Sequence, residues 1–319
     1  MRISIRVIFF LIVFGAGILT AQFFLREQCE SDYKFINKRL RCNGQLVIEK
    51  HEYIVFKEKI IEYLDQEKRN GRLIDGAVYF RDLEYGPIFG IDEKKDFTPA
   101  SLLKVPLMLT YFRLAENTPA LLEEKLEIQE LDPIFKPFFR STHFIQENTP
   151  YSIEELIRAM IVYSDNDAYF ALLEHLQRIS PSEDLLLETY HELGMISPED
   201  ELDATLSTKN YASIFRLLYN ISYLSKEYSE KALSMLAASD FNQGLAAGVP
   251  SGIPVANKFG ERIDYTNNQK QLHDCGIVYY PNNPFLLCVM VRGNNFIELA
   301  EIIKIISSMV YAEVDSRRL

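Results

Sequence analysis

Tryptophan is absent from this chain of 319 residues, and histidine and cysteine are scarce, at five and four. The histidines (His51, His143, His175, His191, His273) are scattered, and none forms a zinc-like pair with Cys29, Cys42, Cys275 or Cys288. No metal-ligand spacing is present, so neither a metal nor another cofactor is expected. Basic residues are outnumbered 34 to 45, for a formal net charge of -11, and no basic block offsets the excess. That balance argues against nucleic acid or anionic lipid as a partner for the body of the protein. There is no internal repeat and no low-complexity tract. What is abundant is Tyr (18) and Phe (21), enough for core and pocket walls, in a chain that is 48% hydrophobic. These figures describe a globular protein of one large domain or two modest ones.

Only one long hydrophobic run occurs. Arg2 and Arg6 precede residues 7–25, which are apolar except for Thr20 and Gln22, close to the roughly 20 residues a membrane helix needs. Residues 1–28 are therefore expected to be a signal anchor, with the N-terminus inside and the body at the outer face of the cytoplasmic membrane. The membrane would be a partner through that helix alone. A signal peptide cut after Ala21 is the alternative, disfavoured because Leu19 is too large for a small-x-small site. Residues 29–50 read as an extracytoplasmic tether, and residues 51–319 as the folded domain. In an exported protein, Cys29 and Cys42 could clamp the tether. Cys275 and Cys288 fall on two neighbouring strands. With a turn at Pro281-Asn282-Asn283-Pro284 they lie on one face but diagonally, so they are expected to be free and buried.

Periodicity places the elements. Residues 51–70 carry Ile54, Ile60, Ile61 and Leu64 among charges and end at Asn70-Gly71, as an amphipathic helix does. Residues 77–83 and 88–91 flank Glu84-Tyr85-Gly86-Pro87 as a hairpin. The strand signal then disappears for a long stretch of helices: 102–114, 152–162 with a capping-box start (Ser152, Glu155), 166–178, 209–220 and 229–238. Strands return at 255–263, 271–280 and 285–292, and a helix over 295–312 ends the chain. This order predicts an α+β fold, an α/β sandwich. A five-stranded antiparallel sheet is flanked by N- and C-terminal helices, with an all-helical subdomain inserted over about 100–245. The junction between subdomain and sheet is the natural place for a site.

Three short stretches carry chemistry. Ser101 and Lys104 stand three residues apart after Pro99, so hydroxyl and amine share a helix face. A serine at a helix N-terminus also has a free backbone N–H to stabilise an oxyanion. Tyr163-Ser164-Asp165-Asn166 is a polar break between two helices. Lys258-Phe259-Gly260 lies on the first returning strand. Taken together and in this order, they resemble the Ser-x-x-Lys, Ser-Asp-Asn and Lys-Thr-Gly set of class A β-lactamases and penicillin-binding proteins. The resemblance runs over roughly residues 79–312. Phe80-Arg81-Asp82-Leu83, Tyr151-Ser152-Ile153-Glu154-Glu155-Leu156 and His273-Asp274-Cys275-Gly276-Ile277-Val278 also look like that family.

The resemblance implies acyl transfer. Ser101 would attack a carbonyl, and Lys104, kept neutral by burial and a neighbouring positive charge, would take its proton. Ser164 would relay a proton to the leaving nitrogen. Asn166 would hold the substrate's amide side chain, and Lys258 would attract its carboxylate. Gly260 completes the strand motif, and the backbone N–H groups of Ser101 and Glu261 would form the oxyanion hole. No histidine lies in the three stretches, so no Ser/His/Asp triad competes.

The match fails in two places. Phe259 stands where the family has Thr or Ser, a hydroxyl that helps bind the carboxylate; Arg262 is the nearest replacement. Second, the interval from Gly194 to Ser207 is shorter than the family loop carrying the glutamate that activates water to release the acyl-enzyme. Glu199 and Glu201 lie there as candidates for that role, but they stand outside the family's Glu-x-x-Leu-Asn context and read more readily as solvated loop carboxylates. The expected activity is that of a β-lactamase-like serine hydrolase acylated by β-lactams or D-Ala-D-Ala-like peptidoglycan peptides. A D,D-peptidase with slow deacylation is one alternative. A non-catalytic cell-surface binding protein that keeps the fold is another, favoured by Phe259 and opposed by Ser101, Lys104, Ser164, Asn166 and Lys258 standing together.

Overall fold

The computed structural model describes residues 33–37, 53–84, 86, 88–128, 137–139, 141–143, 145–195 and 205–317. The expected anchor, most of the tether, Cys29, Cys42, Glu199 and Glu201 lie outside these residues. Among the described residues, no helix is long and apolar enough to cross a membrane.

Helix α1 (Ile54–Arg69) buries Phe56, Ile60 and Leu64 along one stripe and leads into the hairpin β1 (Asp75–Asp82) and β2 (Ile88–Ile91). A 3₁₀ turn (Ala100–Leu103) runs into α2 (Lys104–Ala115). The inserted block continues with β3 (Lys125–Glu127), β4 (Pro150–Ser152), α3 (Ile153–Val162) and α4 (Asn166–Ile179). It ends with α5 (Leu185–Glu192), α6 (Thr208–Tyr219) and α7 (Lys226–Ala237). Then come β5 (Val255–Asp264), β6 (Gln269–Val278), β7 (Phe285–Gly293) and α8 (Phe296–Ser316). The main sheet has the order β2-β1-β7-β6-β5, every pair antiparallel. The expected α+β architecture is the observed one, with eight α-helices among the described residues.

Local chemistry explains the helix boundaries. At α3 both halves of the capping box form: Ser152 Oγ accepts from the Glu155 N–H (3.1 Å), and Glu155 Oε2 accepts from the Ser152 N–H (2.7 Å). At α4 the Asp165 carboxylate accepts from the Ala168 N–H at 2.8 Å. Side chains alternate along the strands, so the sheet serves two cores. Ala77, Ala256, Ile277, Leu286 and Met290 face the helical subdomain, packing with residues such as Met108, Ile157 and Phe215. Val78, Phe80, Phe259, Leu287 and Val289 face α1 and α8.

Two expectations are corrected. The strand signal does not vanish within the subdomain: β3 and β4 pair there as a two-stranded sheet, each only three residues long and too short to show alternation. Cys275 and Cys288 are not free. The β6–β7 register pairs Val278 with Phe285, leaving residues 279–284 as the connection; Cys275 then faces Cys288 directly, and the two form a disulfide. The turn is two residues longer than expected, which moves the diagonal pair into opposition.

Candidate active site

Ser101 sits in the 3₁₀ turn and Lys104 on the residue that closes it. In such a turn, side chains at i and i+3 eclipse, so both point the same way. The turn enters through Ala100 in the left-handed region (φ 50°), and Ser164 stands in the same region (φ 55°). For residues with a Cβ this conformation is strained, and such strain gathers at functional sites.

Three elements hold the turn. From β6, Gln271 Oε1 accepts from the Thr98 N–H (3.1 Å), and His273 Nε2 donates to the Thr98 carbonyl (2.9 Å). A carbonyl can only accept, so Nε2 carries the ring proton. From α6, Tyr211 Oη donates to the Leu102 carbonyl at 3.1 Å. From β5, Gly260 lies against the turn: a Cβ there would stand 3.0 Å from the Pro99 carbonyl oxygen and 3.3 Å from the Leu102 nitrogen. Only glycine admits that approach without displacing the turn.

Lys104 is buried, and its side-chain hydrogen bonds among the described residues go to the loop between α3 and α4 and to the first residue of α4. Nζ reaches the Ser164 carbonyl (2.6 Å), Ser164 Oγ (3.3 Å) and Asn166 Oδ1 (2.7 Å). Lys258, wholly buried, donates from the opposite wall to the same Ser164 Oγ at 2.8 Å and to the Phe259 carbonyl at 3.2 Å. Its ammonium also lies 4.6 Å from the centre of the Phe259 ring. Two amines thus share one hydroxyl.

Burial, followed by the charge on Lys258, holds the Lys104 amine well below the usual lysine range. Burial also lowers Lys258, to about 7, against the opposing charges of Asp274, Asp240 and Glu261. Asp274 lies on the other face of the sheet, accepting from Asn257 Nδ2 and the Leu245 N–H, both at 2.8 Å; burial raises it to about 6. Burial keeps His273 neutral, lowering it to about 4. Chemically, the arrangement supplies a serine on a buttressed turn, a buried amine of lowered pKa three residues on, and a hydroxyl hydrogen-bonded to both lysines.

The structure brings Ser101, Lys104, Ser164, Asn166, Lys258 and Gly260 to one junction. Arg262 follows Lys258 and Gly260 on the same strand face, half-buried, two positions along. The Phe259 and Glu261 side chains turn to the other face. Phe259 stacks on Phe241 with ring centres 4.1 Å apart. The Glu261 carboxylate accepts backbone N–H groups from Phe138 and Phe139; burial raises its pKa and these donors oppose the rise. The sequence does not single out Gln271, His273, Asp274 or Tyr211 individually, because strand register for the first three and helix packing for Tyr211 decide which of them reach the turn or Lys258. Among the described residues, no cluster of His, Cys, Asp and Glu is arranged to hold a metal.

Known proteins share this arrangement of elements. The structure of PBP-A is 22% identical, with a TM-score of 0.69 over 84% of this chain and 98% of that one. A β-lactamase from Chitinophaga pinensis DSM 2588 is 18% identical, with a TM-score of 0.68 over 80% of this chain and 99% of that one. A class A β-lactamase from Mycobacterium abscessus is 19% identical, with a TM-score of 0.67 over the same two shares. At these identities the likeness speaks for the fold. No curated protein matches the sequence. The model of the Beta-lactamase enzyme family matches residues 56–314, most of the chain. With the serine β-lactamase-like fold and the Ser101–Lys104 turn in place, the chain belongs to the Beta-lactamase enzyme family.

Proposed function

We propose that the protein is an active-site-serine hydrolase that forms an acyl-enzyme on Ser101 with β-lactams or with D-Ala-D-Ala-like peptides. The observation that carries this reading is the double hydrogen bond to Ser164 Oγ, from Lys258 at 2.8 Å and Lys104 at 3.3 Å, beside a turn that presents Ser101. In the forward step, Ser101 Oγ bonds to the carbonyl carbon and Lys104 takes the hydroxyl proton. The tetrahedral oxyanion meets the backbone N–H groups of Ser101 and Glu261. The proton returns through Ser164 to the departing nitrogen as the carbon–nitrogen bond breaks. Lys258 attracts the substrate carboxylate, and Asn166 holds the amide side chain. A PBP-A mutant has been seen as an acyl-enzyme complex with penicillin G, which supports the reading.

A second reading concerns release. The interval between Gly194 and Ser207 is short, which favours slow deacylation and penicillin-binding-protein behaviour over antibiotic hydrolysis. We place the protein outside the cytoplasmic membrane, held by residues 1–28, where both substrates occur.

The test is the mass of the full-length protein over time with a labelled penicillin, Ser101→Ala serving as control. Acylation predicts one penicillin mass on the natural protein and none on the variant. A transient adduct identifies turnover, a persistent one a penicillin-binding protein. No adduct across penicillins, cephalosporins and carbapenems overturns the reading.

A further inference from the structure

Within residues 29–50 the structure describes 33–37, and these pack against the body. Phe35 and Ile36 are buried in the core that the helical subdomain shares with the sheet. The Glu230 carboxylate of α7 accepts three successive backbone N–H groups, from Lys34 (2.6 Å), Phe35 (2.8 Å) and Ile36 (3.0 Å). At the C-terminal end of α6, the Asn37 N–H donates to the Tyr219 carbonyl at 2.8 Å, and Asn37 Nδ2 to Asn220 Oδ1 at 3.0 Å. Tyr279, the residue after β6, donates from its hydroxyl to the Phe35 carbonyl at 2.9 Å, and its ring meets the Phe35 ring edge-on with centres 5.1 Å apart. One short stretch therefore joins two helices of the subdomain to the main sheet, and its bonds to Glu230 are charge-assisted.

Two of the joined elements also hold the turn that carries Ser101. Near its start, α6 sends the Tyr211 hydroxyl to the Leu102 carbonyl. From Tyr211 to Tyr219, where Asn37 docks, the helix rises about 12 Å. On β6, Gln271 and His273 bond to Thr98. From His273 to Tyr279, where Phe35 docks, extended backbone covers about 20 Å. Thr98 and Leu102 flank Ser101 in the chain. The spacing of α6 from β6 is thus tied at two places, at one by the Ser101 turn and at the other by residues 33–37.

We propose that residues 33–37, held by Glu230 and Tyr279, are a clamp that positions the Ser101 turn by fixing α6 against β6. The proposal rests on the acyl-transfer reading above. Packed elements accommodate displacement by small sliding movements, and a tie at their far ends opposes that sliding. Close-packed interiors pass such shifts on, so slack at Tyr219 and Tyr279 moves the grips on Thr98 and Leu102. A small displacement of Ser101 misaligns its attack on a carbonyl while the ligand's other contacts remain. The clamp therefore acts on the acylation step and not on ligand binding. Glu230 stands at the far end of both elements from the turn, and its role is that of a positioning residue.

Two measurements on the full-length protein test this. The first is hydrogen exchange at the amides of residues 34–36. In the natural protein they exchange at least about tenfold more slowly than free peptide. Glu230→Ala releases them, and Glu230→Gln, which keeps an acceptor oxygen, lies between. The second separates the rate of adduct formation at saturating penicillin from the concentration that gives half that rate. Glu230→Ala slows the saturated rate about tenfold and Tyr279→Phe, which removes only the hydroxyl, about threefold, while the half-saturating concentration stays within about twofold. Glu230→Gln recovers part of the rate. Ile303→Ala, which empties a buried site in the other core, lowers the urea midpoint and changes neither quantity. Peptide-like exchange in the natural protein overturns the clamp. A saturated rate unchanged in Glu230→Ala overturns its positioning role, as does an equal loss in Ile303→Ala. If the natural protein forms no adduct, the acyl-transfer reading fails by itself. Exchange at the Leu102 amide, which donates to the Pro99 carbonyl at 3.1 Å, then reads the turn. The clamp stands if Glu230→Ala speeds that exchange about tenfold and Ile303→Ala does not, and falls otherwise.

Discussion

The two faces of β5 keep to the expected pattern to different degrees. On the face toward the helical subdomain, Lys258 reaches Ser164 and the missing Cβ of Gly260 leaves room for the turn that carries Ser101. On the other face, Phe259 replaces a hydroxyl and the Glu261 carboxylate binds a distant backbone segment. Under the proposed chemistry the first row is constrained by the reacting groups, whose positions tolerate little displacement. The second row packs against aromatic rings, where any ring set that fills the space serves. A departure on one face therefore says little about chemistry on the other, because alternation sends neighbouring side chains in opposite directions.

Breaking the chemical face has the largest effect. Lys104→Met removes the proposed proton acceptor while keeping the buried stem, and should slow adduct formation by about 10³-fold, read by mass against time. Gly260→Val adds bulk within 3.0 Å of the Pro99 carbonyl. Displacing the turn should cost about 10²-fold in acylation, while circular dichroism shows the fold retained, since valine suits a strand.

Stability provides a sharper contrast, because neighbours on opposite faces titrate in opposite senses. His273 is lowered to about 4 from an unfolded value near 6.5, so the unfolded chain binds more protons in that window and stability falls as pH falls. Asp274 is raised to about 6 from near 3.8, so the folded chain binds more protons and stability rises as pH falls. Each effect amounts to about 3 kcal/mol across its window. The two should nearly cancel in the natural protein; Asp274→Asn should expose the loss from His273 between pH 6.5 and 4, measured by urea unfolding.

The smallest effect concerns Lys258 alone. With a pKa of about 7, its charge is lost at higher pH. Acylation by a carboxylated penicillin should fall about tenfold per unit above that value, whereas the methyl ester of the same penicillin should show no such fall. A parallel decline for acid and ester would separate Lys258 from carboxylate binding.

Much of this was readable in the chain. The helices of the subdomain follow from their periods, α3 from its capping box, and the order of strands from alternation and turns. Ser101, Lys104, Ser164, Asn166 and Lys258 stand in recognisable stretches that the fold brings together. The short strands β3 and β4 escape because three residues carry no period, and the eight-residue helix α5 lies between the expected helices over 166–178 and 209–220, where none was placed. The disulfide escaped because the pairing of Cys275 with Cys288 depends on the length of the 279–284 connection, a property of register.

The sequence by itself determined the fold class and singled out Ser101 and the two lysines, since these rest on local spacing and on the order of three short motifs. Only the tertiary structure decided that Lys104 and Lys258 converge on one hydroxyl, that Gln271 and His273 grip the turn before Ser101, and that Phe139 docks on the Phe259 side of β5. Those contacts join residues far apart in the chain. Strand register and close packing select them, and neither is written in any short stretch.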